Sequence, residues 1–144
     1  MNSGTNLTIQ DNLINNASAS AVVLENNANL IQGSSTALNT NTGALIVKRN
    51  SNPLRRLDYT IWSSPVAEQN ILAFSPGTLS NRFYNYNETT NLYNVVTPSI
   101  TPFAKATGYL IRMPNDHPSI PTVWNGSFTG VPNNGTINKA ITYN

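Results

Sequence analysis

The chain holds a single histidine, His117, and no cysteine, so the search for catalytic chemistry begins there. His117 lies in a loop bounded by Pro114 and Pro118. A catalytic triad needs a serine nucleophile and an acid that orients the imidazole ring, and Asp116, its neighbour in sequence, is poorly placed for that role. The sequence also lacks a nucleophile-elbow motif. It therefore indicates a protein that is not an enzyme, and we expect replacement of His117 by alanine to be silent.

The six carboxylates are dispersed along the chain, one to each segment. Glycoside hydrolysis needs two carboxylates that face each other across a substrate, and the spacing suggests no such pair. A metal site built on His117 would lack a second histidine or any cysteine. Glu88 and Asp116, each beside asparagines, offer oxygen ligands for calcium, but ordinary turn solvation explains them better. We therefore expect no bound metal and no cofactor.

Aromatic residues offer the best candidates for ligand binding. Tyrosine and tryptophan rings stack on sugars, while asparagine and arginine side chains bond to hydroxyl groups. Tyr84 and Tyr86 share one face of an alternating strand, and we assign them, with Trp124, as candidate ligand-binding residues. Trp62 is expected to lie in the core. The alternative for the whole set is core packing with partial exposure at a sheet edge.

The distribution of residue types divides the chain into two regions. All nine prolines and all twelve aromatic residues lie after position 52. Charged residues are only 10 % of the chain, whereas about 25 % is usual, and 24 asparagines replace them. Asparagine suits tight turns and is poor in helix interiors, which favours β-structure throughout. We predict two domains, residues 1–52 and residues 53–144.

Short β-prone runs recur in the first region between asparagine-rich turns. Leu7 and Leu30 are 23 residues apart, and Val23 and Leu45 are 22 apart. A repeat of this length is typical of parallel β-solenoid coils, in which stacked asparagines would form ladders. The absence of proline leaves every backbone N–H free to pair. A few ordinary antiparallel strands remain the alternative.

The second region shows regular strand signals that proline and glycine punctuate, as in an antiparallel β-sandwich. Residues 108–113 are apolar on both faces, which predicts a central strand. Asn134-Gly135 predicts a hairpin turn, and residues 64–70 predict a helical turn. Strands are predicted over residues 57–62, 70–74, 82–86, 92–96, 108–113, 123–128 and 136–142.

Several strings in this region resemble a module of large exported surface proteins of Bacteroidota. They are the strings at residues 62–66, 74–76, 82–87, 108–112 and 128–135. In that family the module follows short β-solenoid coils that end in a Val-Lys-Arg strand, here Val47-Lys48-Arg49. The module lies upstream of the signal read by the type IX secretion system. The resemblance implies surface display and supplies no catalytic residues; Ala106-Thr107 departs from the turn expected before Gly108.

These observations predict an all-β protein, a short parallel β-solenoid-like stub packed against a β-sandwich-like module. The function expected is that of a non-catalytic structural or adhesive segment of a large secreted or cell-surface protein. The alternative is a carbohydrate-binding module of a secreted polysaccharide-degrading enzyme. Expected partners are a surface glycan or polysaccharide and neighbouring domains of the same chain. The net charge of +2 and one small basic cluster argue against nucleic acid, and the sequence contains no membrane span.

Overall fold

The computed structural model describes residues 1–33 and 40–141, and over them the protein is all-β, as predicted. A 3-10 turn at Ala19–Ala21 and one α-helical turn, α1 (Ile71–Phe74), are the helical segments of this described part. Neither segment is long enough to cross a membrane. The strands are β1 (Asn6–Ile9), β2 (Val23–Leu24), β3 (Asn29–Gln32), β4 (Leu45–Asn50), β5 (Tyr59–Trp62), β6 (Phe83–Asn87), β7 (Leu92–Val95), β8 (Tyr109–Arg112) and β9 (Asn125–Gly130).

The first region forms two stacked coils of a parallel β-solenoid. Strand β1 pairs in parallel with β3, and Asn6 lies opposite Asn29, 23 residues further on. Strand β2 pairs in parallel with β4 at the same offset, so Val23 lies opposite Ile46 rather than Leu45. The Asn29 amide donates to the Asn6 side-chain oxygen at 3.0 Å. The predicted coils are therefore present, and one pair of stacked asparagines is hydrogen-bonded between them.

The second region contributes a four-stranded antiparallel sheet in the order β5-β8-β6-β7. Strand β8 lies between β5 and β6 and is buried along most of its length, as its apolar composition predicted. The inward side chains of this sheet include Trp62, Phe83, Tyr109 and Ile111, all of which are buried in the core. The burial of Trp62 also agrees with the sequence.

Two strands and a hairpin predicted from sequence are absent. Residues 71–74 form α1 rather than a strand, because the Asn70 side chain accepts a hydrogen bond from the Ala73 N–H at 2.9 Å and caps the turn. The helical turn expected at residues 64–70 therefore lies just after them. Residues 136–141 form no strand, so Asn134-Gly135 connects no hairpin; residue 142 lies outside the described residues.

One sheet and one core join the two regions. Strand β9, from the second region, pairs antiparallel with β4 and completes a three-stranded sheet in the order β2-β4-β9. In this pairing Leu45 lies opposite Gly130 and Val47 opposite Phe128. The Phe128 ring stacks on Phe74 with ring centroids 4.3 Å apart. The boundary proposed at residues 52 and 53 thus falls between strands whose side chains share a core.

Candidate functional site

The outer face of the four-stranded sheet carries a row of tyrosines. Successive side chains of a strand point to opposite faces, so the burial of Trp62, Phe83 and Ile111 places their sequence neighbours on the outside. We call this surface the tyrosine face. It consists of Tyr59 and Ile61 of β5, Tyr84 and Tyr86 of β6, Tyr93 and Val95 of β7, and Leu110 of β8.

The rings of the tyrosine face form two pairs, one between the neighbouring strands β6 and β7 and one across the intervening strand β8. Tyr86 and Tyr93 lie directly opposite each other, with ring centroids 5.4 Å apart, and remain 45 % and 48 % exposed. The Tyr86 hydroxyl donates to the Asn91 side-chain oxygen at 2.7 Å, which orients the ring. Tyr59 and Tyr84 form the second pair, with centroids 6.0 Å apart. Aromatic rings are thus held on a rigid sheet with part of each surface open to solvent.

Two arginines lie among these tyrosines. Arg112 ends β8 opposite Tyr59, and its backbone N–H donates to the Arg82 carbonyl at 3.2 Å. The Arg82 guanidinium donates through Nη1 to the Tyr84 hydroxyl at 3.5 Å. Arg112 is only 7 % exposed. Within the described residues, Nε and Nη2 of Arg112 and Nε of Arg82 are buried without a hydrogen-bond partner.

The electrostatic surroundings of Tyr59 reflect these neighbours. Burial raises the pKa of the Tyr59 phenol above its ordinary value, and a hydrogen bond with Tyr84 adds to the rise. The positive charges of Arg82 and Arg112 offset part of it. The phenol therefore stays neutral well above physiological pH and retains its hydroxyl proton.

Among the residues that the structure describes, no carboxylate forms an ion pair with Arg82 or Arg112. Over residues 1–33 and 40–141, the ion pair found joins Lys48 to Glu25 at 2.8 Å, on the solenoid. Lys48 belongs to the small basic cluster of the sequence, which consists of Lys48, Arg49, Arg55 and Arg56. Burial lowers the pKa of the neighbouring Arg49 guanidinium. The tyrosine face is therefore a mainly aromatic surface with two arginines that form no ion pair within the described part of the chain.

The three ligand-binding residues proposed from sequence do not share one surface. Tyr84 and Tyr86 belong to the tyrosine face, where Tyr84 is half-buried. Trp124 packs against Trp62 and Phe74, with ring centroids 5.5 Å and 5.2 Å away. Because Trp62 points inward, Trp124 lies on the opposite side of the four-stranded sheet from the two tyrosines.

His117 holds two loops together. The side chain is only 7 % exposed, and its Nε2 lies 2.9 Å from the Leu54 carbonyl and 3.2 Å from the Thr122 carbonyl. Leu54 and Thr122 also form a β-bridge. This burial and these contacts argue against the expectation that replacement of His117 is silent, because the ring supplies a buried donor to both carbonyls.

Replacing His117 with alanine should lower the free energy of unfolding by about 1–3 kcal/mol, since it removes a hydrogen-bond donor shared by two carbonyls and leaves a cavity where the buried ring was packed. His117→Gln, whose amide can donate to the same carbonyls, should lose less. Urea denaturation of both variants measures the difference. If His117→Ala unfolds at the urea concentration of the parent protein, the ring has no structural role.

The acidic side chains lie apart in the part of the chain that the structure describes. No three His, Asp or Glu residues there come close enough to hold an ion. Asn87, which precedes Glu88, stabilises a turn, since its side-chain oxygen accepts hydrogen bonds from the N–H groups of Thr89 and Thr90 at 3.0 and 3.1 Å. This geometry matches the turn-solvation interpretation.

Sequence reasoning missed Tyr59, Arg82 and Arg112 as members of the site. The alternation of side chains along a strand could have placed the two arginines on this face, because Arg82 precedes Tyr84 by two residues and Arg112 follows Leu110 by two. The neighbourhood of Tyr59 and Arg112 depends on the β5–β8 pairing, and their spacing along the chain does not reveal it.

Comparison with known proteins gives a family and no activity. No curated protein and no solved structure matches the chain. One family model matches it over residues 1–144, and its description is "Domain of unknown function (DUF8693)". Because the match covers the whole sequence given, the chain belongs to the DUF8693 family of domains of unknown function.

Proposed function

We propose that this chain is a non-catalytic adhesive module of a large bacterial secreted or cell-surface protein, and that its tyrosine face binds a polysaccharide. The observation that carries the proposal is the row of partly exposed tyrosine rings on one rigid sheet face. Tyrosine presents an apolar ring for stacking and a hydroxyl for hydrogen bonding, a combination that suits sugars. Contiguous exposed apolar surface often marks an interaction site.

The rest of the architecture supports a display role. The β-solenoid coils share a sheet with the module, so neighbouring segments of a longer chain could hold the tyrosine face in a fixed orientation. The resemblance to exported Bacteroidota proteins, with its Val-Lys-Arg strand now located in β4, supports an extracellular or cell-surface location and type IX secretion. Neighbouring domains of the same chain are then its other partners.

A carbohydrate-binding module of a polysaccharide-degrading enzyme would use the same surface. A purely structural segment would need no ligand at all. Affinity electrophoresis against a panel of soluble neutral and acidic polysaccharides separates a binding module from a purely structural segment, because only a binding module is retarded by a particular polymer. Absence of retardation by every polymer would leave the structural segment as the better description.

The double variant Tyr86→Ala/Tyr93→Ala should weaken polysaccharide retention by tenfold or more, because both stacking rings are removed. The cross-strand aromatic pair contributes about 1 kcal/mol to stability, so the variant should still fold. Leu92→Ala is the matched control, since Leu92 precedes Tyr93 on β7 and is exposed to a similar extent, 62 %. Equal retention of the double variant and the control would place the binding surface elsewhere.

A further inference from the structure

We propose that the ligand of the tyrosine face is an acidic polysaccharide, and that Arg112, with Arg82, binds the carboxylate of a uronic acid unit. This inference rests on the proposed function and specifies its ligand class. The acidic-ligand inference depends on the two arginines, whereas the proposed function depends on the tyrosine rings. The inference is therefore wrong, and the proposed function still correct, if the face binds only neutral polysaccharides.

The main observation is that the Arg112 side chain is buried and lacks some of its hydrogen-bond partners. It is 7 % exposed, yet Nε and Nη2 have no hydrogen-bond partner in the described chain. Buried polar groups nearly always have partners, and an unpaired buried charge is strongly unfavourable. An arginine in this state, on a face that contains exposed tyrosines, is explained if a bound group completes its hydrogen bonds.

The identity of the two unpaired atoms indicates the shape of that group. Nε–H and one Nη2–H point along the same edge of a guanidinium, and that edge matches the two oxygens of a carboxylate in a bidentate pair. Arg82 adds a further unpaired Nε and lies beside the Tyr84 hydroxyl at 3.5 Å. Both arginines thus have unpaired Nε–H donors, whose hydrogen bonds a carboxylate can accept.

The surrounding residues favour a sugar as the carrier of the carboxylate. Tyr59 and Tyr84 lie next to the arginines, and Tyr86 and Tyr93 extend the face along β6 and β7. A chain of sugar rings could place a carboxylate on Arg112 and neighbouring rings on the tyrosines. Nucleic-acid binding needs a basic stripe that follows the phosphate backbone, whereas the chain has a net charge of only +2.

The test compares polygalacturonate with its fully methyl-esterified form, which has the same backbone without the charge. The full chain should be retarded by polygalacturonate and at least tenfold less by the ester. Alginate and hyaluronate extend the test to other uronic acids, and dextran sulfate and single-stranded DNA supply sulfate and phosphate. Binding of the ester equal to that of the acid, or binding of dextran sulfate or DNA without any uronate, overturns the inference but leaves a binding surface.

Arg112→Met separates a binding role from a structural one. Removing an unpaired buried charge should leave the melting temperature unchanged or raise it, whereas affinity for polygalacturonate should fall at least tenfold. Arg112→Lys, which keeps the charge but loses the bidentate edge, should bind more weakly than the parent protein. A lower melting temperature for Arg112→Met, or undiminished binding by both variants, overturns the proposal; failure of every polysaccharide to bind overturns the proposed function with it.

Discussion

A chain that lacks residues 1–50 is expected to lose cooperative folding. Strand β9 would lose β4, its partner over six residue pairs from Leu45 opposite Gly130 to Asn50 opposite Asn125. Leu45 and Val47, both almost fully buried, would leave the core, and the inner surface of Phe128 would face solvent. Each large buried aliphatic side chain contributes about 2–5 kcal/mol, against a total stability of about 5–15 kcal/mol for a typical domain.

Thermal unfolding followed by near-ultraviolet circular dichroism measures this effect, since the aromatic cluster is the source of that signal. The full chain, measured under the same conditions, serves as the reference. The shortened chain should show a broad transition or none. A soluble fragment with a sharp transition at the melting temperature of the full chain would mean that the two regions do not depend on a shared core.

Gly43→Ala is expected to lower the free energy of unfolding by about 2–5 kcal/mol, because alanine is unfavourable in the left-handed backbone conformation and because its Cβ would clash with a neighbouring residue. Gly43 has φ = +78°, and a Cβ added there would lie 1.9 Å from the carbonyl oxygen of Asn15 in the preceding coil. The two coils meet closely at this point, where the Asn15 N–H donates to the Thr42 carbonyl at 2.9 Å. A methyl group would force them apart.

Gly4→Ala provides a matched control for this substitution. Gly4 has nearly the same backbone conformation, with φ = +74°, but a Cβ there would meet no atom within 4 Å. Gly4→Ala should therefore lower the free energy of unfolding by only about 1–2 kcal/mol, the contribution of the left-handed backbone conformation. Urea denaturation gives both values. Equal losses for the two variants would show that the close approach of the coils at Gly43 contributes nothing.

Local periodicity made several elements predictable from sequence. The spacing of Leu7 and Leu30 gave the solenoid offset because parallel coils repeat the same geometry at each turn. The alternation around Phe83 correctly separated Tyr84 and Tyr86 from the core, since a strand has a period of two. These signals lie within a single segment or repeat, and they need no knowledge of distant contacts.

Other features depended on distant contacts or on a single side chain. The β4–β9 pairing joins segments about 80 residues apart, and nothing local in either strand identifies its partner. The apolar run at residues 71–74 suits a strand or a helix, and the Asn70 cap makes it helical. The burial of Arg112 is likewise a tertiary property, so a sequence pattern could place it on a face but could not reveal its unpaired donors.

Nuclear magnetic resonance of the ¹⁵N-labelled full chain tests whether the tyrosine face binds a ligand. Backbone amide shifts would be followed during titration with oligosaccharides of the acidic and neutral polymers of the panel, oligogalacturonate among them. We expect the perturbed amides to cluster in β5, β6, β7 and β8, with the largest changes near Tyr86, Tyr93 and Arg112. A tyrosine face that binds no ligand would leave these amides unperturbed by every oligosaccharide, or would leave the changes confined to residues that line the cleft of about 150 Å³ beside Leu24 and Asn133.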